Sequence, residues 1–500
     1  MELINNLILG FGVAFSPFNL LMCLAGAMLG TLVGVLPGIG PLATIAMLLP
    51  ITFNLESVPA LIMLTGIYYG AQYGGSTTSI LVNIPGEASS VVTCLDGYQM
   101  ARQGRAGPAL AAAALCSFFA GSVSTLLIAM AAIPLAGVAL EFGPAEYFSL
   151  MLLGLVGSVV LAQGSLVKAI SMVIVGLLLG MVGADVTSGV VRYSLGISEL
   201  SDGINFVAVA MGMFGVSEII QNLEDTGVKR ELFTKRVKNL WLSKEDFKRI
   251  IAPTLRGTFI GSVLGILPGG GAMLSSFAAY TLEKKVSKHK DEFGKGAIEG
   301  VAAPESANNA GAQTSLIPLL TLGIPSNVVM ALMLGAMIIH GIAPGPQVMT
   351  ERPQLFWGLV SSMWIGNLML VVLNLPLIGL WVKLLTVPYR LLYPSILVFM
   401  SIGVYSLSNV PFDVFLMALF GLFGYVCIKI ECEPAPMILG FILGPLMEEN
   451  LRRAMLMSRG DPLVFLQRPI SLSFIVITIG LLAIIALPAI RKKREEAFQE

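Results

Sequence analysis

A Gly/Pro-interrupted apolar motif occurs twice in this chain, and the duplication constrains its fold more than any other feature. GTLVGVLPGIG at residues 30–40 returns as GSVLGILPGGG at 261–271, identical at six positions with a constant offset of 231. Gly-Ala-Gln at 70–72 returns at 311–313, and Ile84-Pro85-Gly86 returns as Ile324-Pro325-Ser326, at offsets of 240–241. The second copy therefore carries an insertion. Proline ends a helical hydrogen-bond ladder, and glycine lets the chain turn without a Cβ clash. Inside a bilayer such breaks survive only where they are buried in protein or line a cavity. Broken apolar segments at matching places in two halves are the mark of a membrane transport site.

Composition agrees with a membrane setting. Of 500 residues, 56% are hydrophobic and 12% charged, and mean hydropathy is +0.85. A soluble domain carries roughly 25% charged residues, so this chain lacks the charge to coat a water-facing surface. Its net charge of +0 and the absence of a basic-aromatic patch argue against a nucleic-acid partner. Cys23, Cys94, Cys116, Cys427 and Cys432 form no CxxC pair and read as small buried hydrophobes. With only His289 and His340 there is no His-rich metal centre. The first residues lack the basic region of a cleavable signal peptide, so the first apolar run is expected to be retained.

The expected fold is an all-α polytopic membrane protein. At roughly 20 residues per span, it would have about 10–12 transmembrane helices with re-entrant hairpins and broken helices. The clearly polar stretch, 222–256, holds nine Lys/Arg against five acids and reads as cytoplasmic. It separates a first transmembrane half (1–222) from a second (254–490), with a basic linker at 223–253 and a basic tail at 491–500. Arg491, Lys492, Lys493 and Arg494 place the C-terminus on the cytoplasmic side.

Loop charge orients the copies. After the first Gly-Pro motif, loop 51–58 has no Lys or Arg, whereas loop 96–108 has Arg102 and Arg105. In the second copy the bias reverses. Loop 282–296 carries Lys284, Lys285, Lys288, Lys290 and Lys295, and loop 340–354 only Arg352. A parallel repeat keeps such a bias and an inverted one flips it, so two inverted-topology repeats are expected.

A helix that restarts after a break points free N–H groups and a partial positive charge at its ligand, which suits an anion. That makes Gly38, Gly40, Gly269 and Gly271 candidates for substrate binding. GGSTTSILVNIPG at 74–86 adds Ser76, Thr77, Thr78 and Asn83. ESANNAGAQTSLIPLLTLGIPSN at 305–327 adds Asn308, Asn309, Gln313, Thr314, Ser315, Ser326 and Asn327. Neutral hydroxyls and amides bond carboxylates and coordinate Na⁺ without a buried fixed charge; the competing reading is bonding to their own helix carbonyls. Glu305, with Gly86 and Pro325 at the breaks, is the candidate for ion coupling. Glu218 and Asp413 also lie in apolar context and read as structural. Glu448, Glu449, Arg452 and Arg453 have the spacing of two helix-surface ion pairs.

No GxxxxGK[ST], HExxH or GxSxG motif appears, so the chain does not read as an enzyme, and no cofactor beyond Na⁺ as coupling ion is expected. Several long motifs resemble one family over almost the whole length. They include GVLPGIGP (34–41), YYGAQYGGSTTSILVNIPGEASS (68–90), DGYQMARQGRAGPAL (96–110), EGVAAPESANNAGAQTSLIPLLTLGIPSN (299–327) and PAPMILGFILGPLMEENLRRAM (434–455). The family is the large membrane subunit of tripartite tricarboxylate transporters (TctA family). The resemblance implies a bacterial inner-membrane protein working with a small four-helix membrane subunit and a periplasmic solute-binding protein. It implies inward movement of a tricarboxylate or related carboxylate, driven by a Na⁺ or H⁺ gradient. Two alternatives stay open from the residues themselves: a membrane subunit of an ion-pumping decarboxylase, which needs a soluble carboxylase partner, and a stand-alone permease, which needs none.

Overall fold

In this computed structural model the described residues are 2–36, 40–139, 141–161, 165–185, 188–224, 240–267, 271–345, 347–385 and 389–486. Residues 37–39 and 268–270, which include Gly38 and Gly269, lie outside them, as do the tail residues 487–500.

Glycine at every fourth position explains the first close helix pair. Helix α1 (Glu2–Ala14) precedes α2 (Pro17–Val35), which packs along α4 (Ser57–Val82). A Cβ on Gly26, Gly30 or Gly34 would collide with the carbonyl oxygen of Met63, Ile67 or Ala71 respectively. Both sets of positions advance together, so α2 and α4 are parallel. Between them α3 (Pro41–Phe53) returns to the level where α4 begins, which makes α2–α3 a hairpin.

The second copy repeats this arrangement residue by residue. After α5 (Ala106–Ala139), α6 (Pro144–Leu161), α7 (Leu166–Gly180) and α8 (Phe206–Glu224) comes α9 (Lys244–Ile266). It packs along α11 (Glu299–Thr314) through Gly257, Gly261 and Gly265, against Ala303, Ala307 and Gly311. The glycines stand 231 residues after Gly26, Gly30 and Gly34, and their partners 240 after Met63, Ile67 and Ala71. Gly311 thus corresponds to Ala71 in the packing, one residue off the Gly-Ala-Gln match. Helix α10 (Gly271–Val286) folds back on α9, fixed by Arg256 paired with Glu283 at 2.7 Å.

The two copies then meet. Helix α4 touches α11 with Ser76 near Glu305 and with the Tyr68 hydroxyl beside Ser315. Forward movement on one helix is backward movement on the other, so they run antiparallel. Helices α5 and α13 (Pro353–Asn374) close the cluster. At one end Gln103 donates to the Lys295 carbonyl at 2.6 Å, and Arg105 pairs with Asp246 at 2.6 Å. At the other, His340, just after α12 (Val328–Ile339), lies against the backbone of Thr52.

A peripheral layer follows: α14 (Tyr389–Ser408), α15 (Pro411–Lys429), α16 (Ala435–Met457) and α17 (Pro469–Ala486). Helices α6 and α7 pack on α16, and α17 packs on α6. Exposed apolar side chains such as Ile8, Val167, Phe259, Phe399, Leu419 and Ile479 stud the outer helices. A surface of this kind suits lipid, not water. The protein is an all-α, multi-pass membrane protein. Among the described residues five helices are long and apolar enough to cross a membrane, with shorter apolar helices beside them. Other long helices, such as Ser57–Val82, Lys244–Ile266 and Ala435–Met457, carry more polar or charged residues than a simple span.

Two details depart from the sequence reading. Helix α9 starts at Lys244, within the stretch read as linker, because Ser243 caps it by accepting from the Asp246 N–H at 3.0 Å. A two-stranded antiparallel hairpin, β1 (Gly183–Ala184) with β2 (Val191–Arg192), interrupts the helices. It is clamped by Arg192 to Glu448 at 2.8 Å and Arg452 to Asp185 at 2.9 Å. The pairs Glu448–Arg452 and Glu449–Arg453 form with the expected spacing.

Replacing Gly30 or Gly261 by valine forces helices apart and is expected to cost about 1–3 kcal/mol. The melting temperature of the purified protein in detergent should fall by several degrees. Gly12→Ala, where nothing lies within 4 Å of the new Cβ, should leave it unchanged.

Candidate functional site

Both broken helices end in the same way. Helix α4 stops at Asn83, whose φ of 58° is left-handed, and the extension of α11 (Leu316–Leu322) stops at Gly323, φ 72°. A left-handed residue at this position closes a helix C-terminus, and the following Ile-Pro keeps the chain from resuming. Each Pro is 240 residues from its counterpart, as the packing register requires. Gly86 packs where a Cβ would collide with the Gly34 carbonyl, so the first break rests on the end of α2. In the second, Asn327 caps α12 by accepting from Met330 N–H at 3.0 Å, and its amide donates to Ser315 Oγ at 3.0 Å.

Glu305 on α11 is fully buried. It accepts from Ser76 Oγ of α4 at 2.7 Å, from Ser117 Oγ of α5 at 3.4 Å, and from Thr93 beyond the first break. Asn309 donates to Ser117 Oγ at 2.7 Å, and its own Oδ1 is buried without a partner. A narrow pocket beside Glu305 is lined by Tyr73, Ser76, Thr77, Ser117 and Asn374, with Leu110, Ala113 and Ala114 as its apolar wall.

One turn further along α11 lies a second acid. Glu87 accepts from Asn308 Nδ2 at 3.1 Å and from Ser89. Ser89 Oγ also lies 2.8 Å from Asn308 Oδ1 and 2.9 Å from Gln72 Oε1. Its single proton serves only one of these acceptors. Among the described residues neither Glu87 nor Glu305 pairs with Lys, Arg or His. The pair of contacts is reciprocal between copies: Asn308 reaches Glu87, and Tyr68, its counterpart, approaches Asn327, the counterpart of Glu87.

A buried Glu305 and a half-buried Glu87, set among neutral oxygens at paired helix breaks in a lipid-facing protein, form an arrangement of the kind found at membrane transport sites. The comparisons agree. The profile of the "Tripartite tricarboxylate transporter TctA family" matches residues 20–439. The chain belongs to this family. Its relatives include the "Uncharacterized 52.8 kDa protein in TAR-I ttuC' 3'region" of Agrobacterium vitis, 62% identical over 500 residues, covering 100% of this chain and 99% of that one. A second, the "Uncharacterized protein in TAR-II ttuC' 3'region" of the same organism, is 61% identical over 240 residues. That match covers 48% of this chain and 99% of the relative. No solved structure matches the chain.

In this TctA chain the remaining candidate residues fall into two groups. Those at the meeting of the copies are Ser76, Thr77, Asn308, Asn309, Ser315 and Asn327, with Glu305. Ser326 Oγ donates to the Ser315 carbonyl at 3.2 Å, and Gly271, φ 51°, opens α10 beside the Asn327 amide. The others face their own scaffolds. Thr78 donates to the Val35 carbonyl at 2.9 Å, and Thr314 to the Ala310 carbonyl at 2.9 Å. Gln313 accepts from Thr125 on α5 at 2.6 Å, Asn83 is exposed at the first break, and Pro325 sits within the second. Gly40 donates its N–H to Glu218 at 2.9 Å, so the start of α3 is held by a carboxylate of the chain itself. Asp413 accepts from Asn205 at 2.8 Å.

Sequence reading missed Glu87, Thr93, Ser117 and Asp96. Asp96 is fully buried and accepts from the N–H groups of Gly296 and Ala297, at 2.8 and 2.9 Å, and from Tyr280 at 2.9 Å. It ties the segment after the first break to the start of α11 and to α10. Asp96→Asn keeps an oxygen for the two N–H groups but removes the charge that strengthens those bonds, and it turns the acceptor facing the Tyr280 hydroxyl into a donor, an expected loss of about 1–3 kcal/mol. Thermal melts should show Asp96→Asn less stable than Tyr280→Phe, which removes a single donor.

Proposed function

We propose that this chain is the large transmembrane subunit of a tripartite, binding-protein-dependent secondary transporter. It imports a tricarboxylate or related carboxylate, driven by a Na⁺ or H⁺ gradient. Its partners are a small four-helix membrane subunit and a periplasmic solute-binding protein. It sits in the bacterial inner membrane with its C-terminus in the cytoplasm.

The observation that carries this reading is the meeting of two equivalent broken helices, antiparallel, through polar side chains supplied reciprocally by each copy. Reciprocal contacts are what a two-fold relation produces, and antiparallel counterparts support inverted repeats. Loop charge points the same way. The Lys- and Arg-bearing loops 96–108 and 282–296 gather at one end, while loops 51–58 and 340–354 meet at the other, with Arg352, which donates to the Gly341 carbonyl, as the one Lys or Arg in them. Among the described residues the site holds no cationic side chain, so a carboxylate substrate is met by neutral donors and a helix start. Asn308, Ser315, Ser326 and Asn327, with Gly271, suit that task, and Glu305 suits ion coupling. Alternating access then moves the bundle that carries both hairpins against the peripheral helices.

Uptake of labelled carboxylates into proteoliposomes containing all three components should require an inward ion gradient. Asn308→Ala should reduce that uptake at least tenfold at equal expression, a loss of about 1.4 kcal/mol or more in transition-state terms. Uptake independent of any gradient contradicts the coupling.

A further inference from the structure

We propose that the pocket beside Glu305 is a binding site for one Na⁺ ion. Its ligands are Glu305 Oε2, Ser76 Oγ, Ser117 Oγ, Tyr73 Oη and Asn374 Oδ1. The inference deepens the transport reading and rests on it for its purpose, but binding itself is measurable without transport.

Geometry assigns the two carboxylate oxygens different tasks. Thr93, which does not line the pocket, holds Oε1, and Ser76 and Ser117, which do, hold Oε2. Thr93 is therefore a positioning residue. The decisive feature is a pair of orphaned oxygens. Tyr73 and Asn374 both line the pocket, and Tyr73 Oη and Asn374 Oδ1 are buried with no hydrogen-bond partner. Buried polar atoms without partners are uncommon and point to a missing ligand.

Three ligands compete for the role. A proton on Glu305 cancels the charge but leaves Tyr73 Oη and Asn374 Oδ1 unserved. A water serves those atoms but leaves a buried carboxylate without a counter-charge, which is strongly unfavourable. A small monovalent cation does both: one positive charge matches one carboxylate, and hydroxyl, phenol and amide oxygens supply hard ligands. Among the described residues no three His, Cys, Asp or Glu side chains come together, the arrangement a multivalent metal would favour. The pocket is only about as wide as one ion or water, so the carboxylate substrate is excluded from it.

Its ligands come from α4, α5, α11 and α13, and Thr93 continues into the segment that carries Glu87 and Ser89. An ion here draws the first break onto α11, next to Asn308. Ion binding then precedes and favours substrate binding.

The test is the melting temperature of the purified chain in detergent, titrated with NaCl against KCl and choline chloride at constant ionic strength. The wild type should gain several degrees with Na⁺ alone. Glu305→Gln should abolish the gain while melting normally in choline. Asn374→Ala and Ser117→Ala should weaken Na⁺ by about tenfold or more, and Thr93→Val similarly, with recovery in Thr93→Ser. If Glu305→Gln does not fold, Asn374→Ala carries the test alone. A wild type indifferent to Na⁺ over K⁺, or variants with unchanged Na⁺ affinity, would overturn the proposal. Specific Na⁺ binding with no uptake by the complete system would sustain it and sink the transport reading instead.

Discussion

Gly26, Gly30 and Gly34 bring α2 into backbone contact with α4, and the rest of the core depends on that approach. A broken helix in a membrane exposes N–H and C=O groups that lipid does not satisfy. Here the first break is covered because Gly86 and Gly75 let it settle on the end of α2, and Thr78 closes the loose carbonyls there. The same stacking of α9 on α11 supports the second break. Side chains any larger would hold the helices apart and leave the breaks uncovered. Close packing through small residues also suits lipid, where hydrophobic exclusion contributes little to holding helices together.

Upon this frame the two copies differ in charge. Glu87 stands in one where Asn327 stands in the other, and Glu305 corresponds to Thr65. A symmetric backbone thus carries an asymmetric site, with both acids gathered around the middle of the α4–α11 contact. Among the described residues neither is balanced by a basic side chain. On the proposed transport reading this gives ion and solute a physical reason to travel together, since each changes the electrostatic setting that the other meets.

The duplicated breaks were legible in the sequence because Gly, Pro and the left-handed Asn83 meet the backbone's demands there, whereas loop charge gave an expectation about orientation that labelling has to test. The packing register was less so, since the Gly-Ala-Gln match is one residue off the register set by the glycine faces. Thr93 and Ser117 gave no sequence signal. They reach Glu305 across 212 and 188 residues, and nothing local distinguishes them from hydroxyls bonded to their own helices. Glu87 and Asp96 lay within family-like motifs, but their partners, Asn308 for one and the Gly296 and Ala297 N–H groups for the other, come from the second copy. Thr78 and Thr314, read as candidate cavity residues, bond to backbone carbonyls, as hydroxyls in apolar helices commonly do.

The central claim is that two oppositely oriented copies meet through α4 and α11. Single cysteines at Asn54, Ala343, Gln103 and Lys288, all exposed and introduced after replacement of the native cysteines, can be probed in intact cells with a membrane-impermeant thiol reagent. The account predicts labelling from outside at Asn54 and Ala343, with Gln103 and Lys288 protected until the membrane is permeabilised. Labelling of Asn54 and Lys288, which follow the two Gly-Pro breaks, from the same face would contradict it.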